Sequence, residues 1–86
     1  MKKLYGSLLC EDCVEAIEFL DKKQIKYKFI DICSSMSNLK EFLYFRDHRN
    51  EYEEIKKEGY IGIPLIVDTD DKIYLLEDIY NIKEEN

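Results

Sequence analysis

The sequence predicts an α/β fold: one mixed four-stranded sheet flanked by helices, in the order βαβ-α-ββ. Three observations carry this. The first 32 residues read strand, helix, strand. The near-continuous apolar run Ile63-Pro64-Leu65-Ile66-Val67 is followed by an acidic turn and a second strand, as a hairpin requires. Between these halves lies one long helical pattern. The 86 residues fit a single domain, residues 1–86.

Each element has a local reason. Residues 3–7 form a strand ending at Gly6-Ser7. Over 11–23, Cys13, Ile17 and Leu20 recur at helical spacing, with Val14 and Ala16 beside them. Glu11 and Asp12 fall in the first turn of this helix and Lys22 and Lys23 in the last, as the helix dipole prefers. Residues 26–32 are β-branched and aromatic, which makes them a strand, parallel to the first through a right-handed crossover. Ser34, Ser35, Ser37 and Asn38 offer N-caps to a helix over 38–58, with a break marked at Asn50 and a C-cap at Gly59. Leu39, Phe42, Leu43, Tyr52 and Ile55 lie on its apolar side, and the run Glu51-Tyr52-Glu53-Glu54 reads as a solvated face. Strands over 63–67 and 73–76 are joined by Asp68-Thr69-Asp70-Asp71, and the tail from Glu77 has room for one helical turn before it frays. Tyr5 and Phe42 are expected in the core.

Composition bounds the function. Hydrophobic residues make up 45%, a globular proportion, so the chain is not expected to be disordered. The net charge of -6 argues against nucleic acid or an anionic membrane as partner, and leaves a basic protein possible. No apolar run approaches the roughly 20 residues of a membrane helix, and no long apolar region follows Met1-Lys2-Lys3, so no signal peptide is expected. Three cysteines, an odd number, do not suit a secreted disulfide framework. The expected location is the cytoplasm, where a vicinal pair is catalytic or metal-binding rather than structural.

That pair, Cys10-Glu11-Asp12-Cys13, opens the first helix. Two thiols at this spacing close a small disulfide, and a helix N-terminus has unpaired N–H groups that favour a thiolate on the first sulfur. After a βαβ beginning the spacing reads as a redox motif of the thioredoxin type. Taken with Gly62-Ile63-Pro64, the chain resembles the glutaredoxin branch of the thioredoxin superfamily over nearly its whole length. It is most similar to a small group of bacterial glutaredoxin-related proteins, which share a start like Leu4-Tyr5-Gly6-Ser7 and a stretch like Asn38-Leu39-Lys40-Glu41-Phe42-Leu43 with Arg46-Asp47.

The resemblance implies a thioredoxin/glutaredoxin-like fold and a thiol–disulfide oxidoreductase with no tightly bound cofactor. In that reading Cys10 attacks, Cys13 resolves, and Pro64 is cis and faces the disulfide. The Ile63 backbone then pairs with an extended peptide or with glutathione, as in strand addition. The implied partners are a disulfide-containing protein or a glutathione mixed disulfide, with glutathione or a thioredoxin reductase as reductant, and a monomeric enzyme. Glu11 and Asp12 would meet the incoming substrate, and Asp78 the glutathione amino group. The chain departs from the family pattern in several places. Glu11-Asp12 stands where the family has Pro-Tyr, Leu8-Leu9 replaces a basic residue, and Leu75-Leu76-Glu77-Asp78 occupies the region of a Gly-Gly pair.

The alternatives belong to other classes. Cys10, Cys13, Cys33 and His48 make a Cys3His zinc set by count. A [2Fe–2S] cluster bridged between two subunits, or a thioredoxin-fold binding module without redox turnover, are the others. Taken singly, Cys33 reads as a buried small apolar residue at the end of the second strand, and His48 as a solvated surface residue.

Overall fold

The structure is a computed structural model and describes residues 1–83. The elements are β1 (Lys2–Gly6), α1 (Glu11–Lys22), β2 (Tyr27–Asp31), α2 (Met36–His48), a 3-10 turn (Asn50–Tyr52), α3 (Glu53–Lys57), β3 (Leu65–Val67), β4 (Ile73–Tyr74) and α4 (Leu76–Ile79). The four strands form one sheet in the order β2-β1-β3-β4. β1 runs parallel to β2, pairing Leu4 with Phe29 and Gly6 with Asp31. It runs antiparallel to β3, pairing Leu4 with Ile66 and Tyr5 with Leu65. β3 and β4 form the expected antiparallel hairpin. This is the thioredoxin/glutaredoxin-like α/β arrangement.

Alternation along β1 divides the core in two. Leu4 joins Ala16, Leu20, Ile25, Ile66, Ile79 and Ile82 on the face covered by α1 and α4. Tyr5 joins Ile30, Phe42, Tyr52, Leu65 and Val67 on the face covered by α2 and the segment after it. Tyr5 and Phe42 are core residues, as expected, and the Tyr5 hydroxyl donates to Glu41 at 2.5 Å.

Strands β1 and β2 and the end of α1 shift by one residue at their ends, and four larger differences from the sequence expectation have a local reason. The helix over 38–58 starts two residues earlier, because Ser35 caps it by accepting the Asn38 N–H at 3.0 Å. It also breaks in two at Arg49, whose backbone is extended (φ -97, ψ 131). The break turns Tyr52 inward to full burial, so Tyr52 leaves the solvated run that Glu51, Glu53 and Glu54 form. β3 begins at Leu65, since Pro64 has no N–H to offer the ladder. β4 stops at Tyr74: Asp78 accepts the Leu75 N–H at 3.4 Å while Leu75 O accepts the Asp78 and Ile79 N–H groups, and the chain turns into α4. The frayed end expected of the tail falls on residues 84–86, outside the described residues.

Two helix ends share one geometry. After α1, Gln24 N–H bonds Asp21 O and Ile25 N–H bonds Leu20 O; after α3, Gly59 N–H bonds Lys56 O and Tyr60 N–H bonds Ile55 O. Both are Schellman closures with a left-handed residue at the pivot, Gln24 at φ 58 and Gly59 at φ 80. Among the described residues, no helix is long and apolar enough to cross a membrane.

Candidate functional site

Parallel pairing puts the C-terminal ends of β1 and β2 at one edge of the sheet, and antiparallel β3 begins at that same edge. Three segments therefore meet there: Ser7–Cys13, the turn after Asp31, and the lead-in to Leu65.

The first segment is shaped by Ser7. Its backbone carbonyl accepts the Cys10 N–H at 3.1 Å and its hydroxyl accepts the Leu9 N–H at 3.1 Å. The resulting tight turn delivers Cys10 to the N-cap of α1, with extended backbone (φ -104, ψ 119). The Cys10 sulfur accepts the Cys13 N–H at 3.4 Å, so one otherwise unpaired amide of the first helical turn points at it. Glu11 and Asp12, both exposed, occupy the first turn beside it.

Cys13 is different in kind. It is 0% exposed, while Cys10 is half-buried. Burial pushes the Cys13 thiol up to about 12; a backbone hydrogen bond from Ser7 acts the other way, and Cys10 and Asp12 add to the rise. Gly6 makes room for this thiol. A Cβ at Gly6 would lie 2.9 Å from the Cys13 sulfur. All three cysteines are free thiols in this structure.

The third segment carries the Ile63-Pro64 peptide, which is cis. It is held by groups that sequence reasoning did not single out as site residues. Arg46 donates to Ile61 O (2.8 Å) and Tyr60 O (2.6 Å), and the Tyr52 hydroxyl donates to Gly62 O (2.7 Å). Three consecutive carbonyls ahead of Ile63 are thus fixed by two side chains. Gly62 has φ +92, and a Cβ there would collide with Cε1 of the Tyr52 ring. No sequence signal pointed to this, because the carbonyls lie 10 to 15 residues from the side chains that bind them.

The remaining candidates separate. Asp78 is engaged at the start of α4 and lines an open cleft of about 680 Å³ with Lys2, Asp68, Lys72 and Asn81, among others; no cysteine lines that cleft. Cys33 is exposed rather than buried, because β2 ends two residues before it, and its sulfur lies 3.7 Å from the Ser7 hydroxyl. His48 is a surface residue, its ring stacked on Tyr44 and its Nδ1 2.8 Å from Tyr44 O. Among the described residues, no three His, Cys, Asp or Glu side chains group as a metal site would need, so the Cys3His set is not assembled.

A mixed sheet with a Cys-x-x-Cys at a helix N-cap and an Ile-Pro at the same edge defines a thioredoxin-like class. The comparisons agree. The sequence model of the glutaredoxin family, described as "Glutaredoxin", matches residues 3–71. The chain is also 33% identical over 64 residues to an uncharacterized protein of Haemophilus influenzae, covering 74% of each. No solved structure matches it. The chain belongs to the glutaredoxin family.

Proposed function

We propose that the protein is a thiol–disulfide oxidoreductase whose reacting groups are Cys10 and Cys13. The observation that carries this is the asymmetry of the pair. Cys10 is accessible at a helix N-cap with an amide aimed at its sulfur, and Cys13 is sealed one turn in with its proton held by burial.

The Cys10 thiolate attacks one sulfur of a substrate disulfide. The S–S bond breaks, a Cys10–substrate bond forms, and the departing substrate sulfur leaves as thiolate and takes up a proton. Cys13 then gives up its proton and attacks the Cys10 sulfur, releasing the second substrate thiolate, which is protonated in turn. Two electrons and two protons have passed to the substrate, and Cys10–Cys13 is a disulfide. In this reading a thiol reductant, glutathione or a thioredoxin reductase, restores the dithiol in the cytoplasm. The Ile63-Pro64 segment docks the substrate, and Arg46 and Tyr52 act as positioning residues behind it.

The test is the redox titration of the pair, by alkylation and intact mass across a glutathione series. A two-electron transition near about -200 to -270 mV is expected. Cys10→Ser should abolish exchange, and Cys13→Ser should trap mixed disulfides. Full exchange activity in Cys10→Ser would overturn the assignment.

A further inference from the structure

Apolar side chains left in water concentrate at the reactive edge. Of the eight large hydrophobic residues exposed among the described residues, five lie on the segments around it: Leu8, Leu9, Tyr60 and Ile61 on loops and Met36 at the start of α2. Leu9 is 91% exposed and stands directly before Cys10. Its backbone is pinned by the Ser7 hydroxyl, and the Tyr60 and Ile61 carbonyls are pinned by Arg46. These side chains are therefore presented outward from held backbone rather than from loose loops.

On the α1 side the charge has one sign; on the other side Arg46 is engaged by the Tyr60 and Ile61 carbonyls. No Lys or Arg occurs between Lys3 and Lys22, a stretch that contains Glu11, Asp12, Glu15, Glu18 and Asp21. Glu11, Asp12, Glu15 and Glu18 are all exposed along α1. Tyr80, partly exposed with its ring edge-on to Phe19, sits in their field: burial first, then Glu15, Asp12 and Glu18, raise its phenol above the ordinary value.

We propose, on the basis of the exchange reading above, that this edge docks a basic protein substrate, whose disulfide is flanked by apolar and Lys/Arg residues, in preference to glutathione disulfide. Leu8, Leu9 and Ile61 take the apolar residues beside the substrate cysteine. The carboxylates from Glu11 to Glu18 take its cations. Glutathione is an anion with little apolar surface and matches neither feature. A second copy of this chain is disfavoured as occupant, since each copy carries a net charge of -6.

The experiment mixes the reduced full chain with four disulfides in single turnover: a cystine peptide flanked by Leu and Lys, the same peptide with Asp for Lys, glutathione disulfide and hydroxyethyl disulfide. The Leu/Lys peptide should react about tenfold faster than the Asp peptide or glutathione disulfide, and salt should erode that advantage. In Leu8→Ser/Leu9→Ser the ratio of Leu/Lys peptide to hydroxyethyl disulfide should fall severalfold. Equal rates for the two peptides, or glutathione disulfide reacting fastest, overturns the docking proposal and leaves the exchange reading standing. Exchange with none of the four, hydroxyethyl disulfide included, removes the exchange reading itself. A micromolar dimer that the double variant dissolves assigns the edge to a second copy and overturns the proposal as well.

Discussion

A Cβ placed on Gly6 would lie 2.9 Å from the Cys13 sulfur and 3.3 Å from Leu4 Cδ2. Neither neighbour is a flexible surface group, since Cys13 and Leu4 are fully buried. Gly6→Ala should therefore displace the thiol and cost about 1–3 kcal/mol, as overpacking of a tight interior does. Urea unfolding checks the cost. Cys13 in the reduced native variant should also alkylate faster than in the parent. The Cys13 thiol makes a second residue-scale prediction. Its native value is raised from 9.0 to about 12, chiefly by burial, so between those values the folded state keeps a proton that the unfolded chain has lost. Stability from this group is intact below about pH 9 and falls as pH rises toward 12, because the native state binds more protons than the unfolded one. Tyr5 and Tyr52 are raised in the same direction by burial, so the comparison must be made within the series. Unfolding free energy should drop less steeply between pH 9 and 11 in Cys13→Ala than in reduced wild type. Equal slopes would show that Cys13 does not titrate across that range.

The two helix ends with one geometry differ in their pivot. Gly59 takes the left-handed conformation at no steric cost, whereas Gln24 at φ 58 carries a Cβ through a region that L-residues avoid. Gln24 is exposed, so its side chain is free to go. Gln24→Gly should stabilise the protein by about 0.5–1 kcal/mol, read as a higher urea midpoint with an unchanged slope. The segment before β3 makes the converse case, where side chains hold a loop. Tyr52→Phe removes the hydroxyl from Gly62 O and should cost about 1 kcal/mol while leaving the ring to pack. If Arg46 and Tyr52 position the docking segment, Tyr52→Phe and Arg46→Ala should raise KM for a peptide disulfide more than they lower kcat. A uniform loss in kcat alone would count against a docking role. These elements also show what was legible in the sequence. The Cys10–Cys13 spacing, the Ile63-Pro64 run and the helical period of α1 are local patterns; the structure puts Cys10 at the N-cap of α1 and the run in the hairpin, with its strand starting two residues later than expected. Arg46 was read only as part of the family-like stretch and Tyr52 only as a helix residue, because the carbonyls they bind lie 10 to 15 residues away in the chain. Leu76 was read as strand because four apolar residues in a row do not show where a ladder stops. Cys33 was read as buried because its exposure depends on β2 ending at Asp31, a matter of pairing with Gly6 rather than of composition.

On the scale of the whole molecule, β1 is the shared wall between two apolar layers, and the edge that carries Cys10 and Ile63-Pro64 depends on both. α1, which Cys10 caps and which carries Cys13, belongs to the layer with Leu4, Ile66, Ile79 and Ile82; the loop that carries Ile63-Pro64 belongs to the layer with Tyr5, Phe42 and Tyr52. The first layer is closed by very little chain. α4 is one turn long, and its Ile79 is fully buried against the α1 side of the sheet, with Phe19 and Tyr80 meeting edge-on beside it. Ile79→Ala should cost about 2–4 kcal/mol, through lost apolar contact and the cavity left behind. That is a large share of the roughly 5–15 kcal/mol that holds a small protein folded. Hydrogen exchange should register the loss first in α1, which shares the layer with Ile79, and less in α2, which packs on the other face. Reactivity should follow the same division. At 25 °C native Ile79→Ala should alkylate Cys13 faster, since the helix that buries the thiol is less firmly seated, while the Tyr52–Gly62 contact holds. Uniform loss of protection across both faces would mean that the two layers unfold as one unit, and that the sheet, rather than the tail, governs how well the second thiol is shielded.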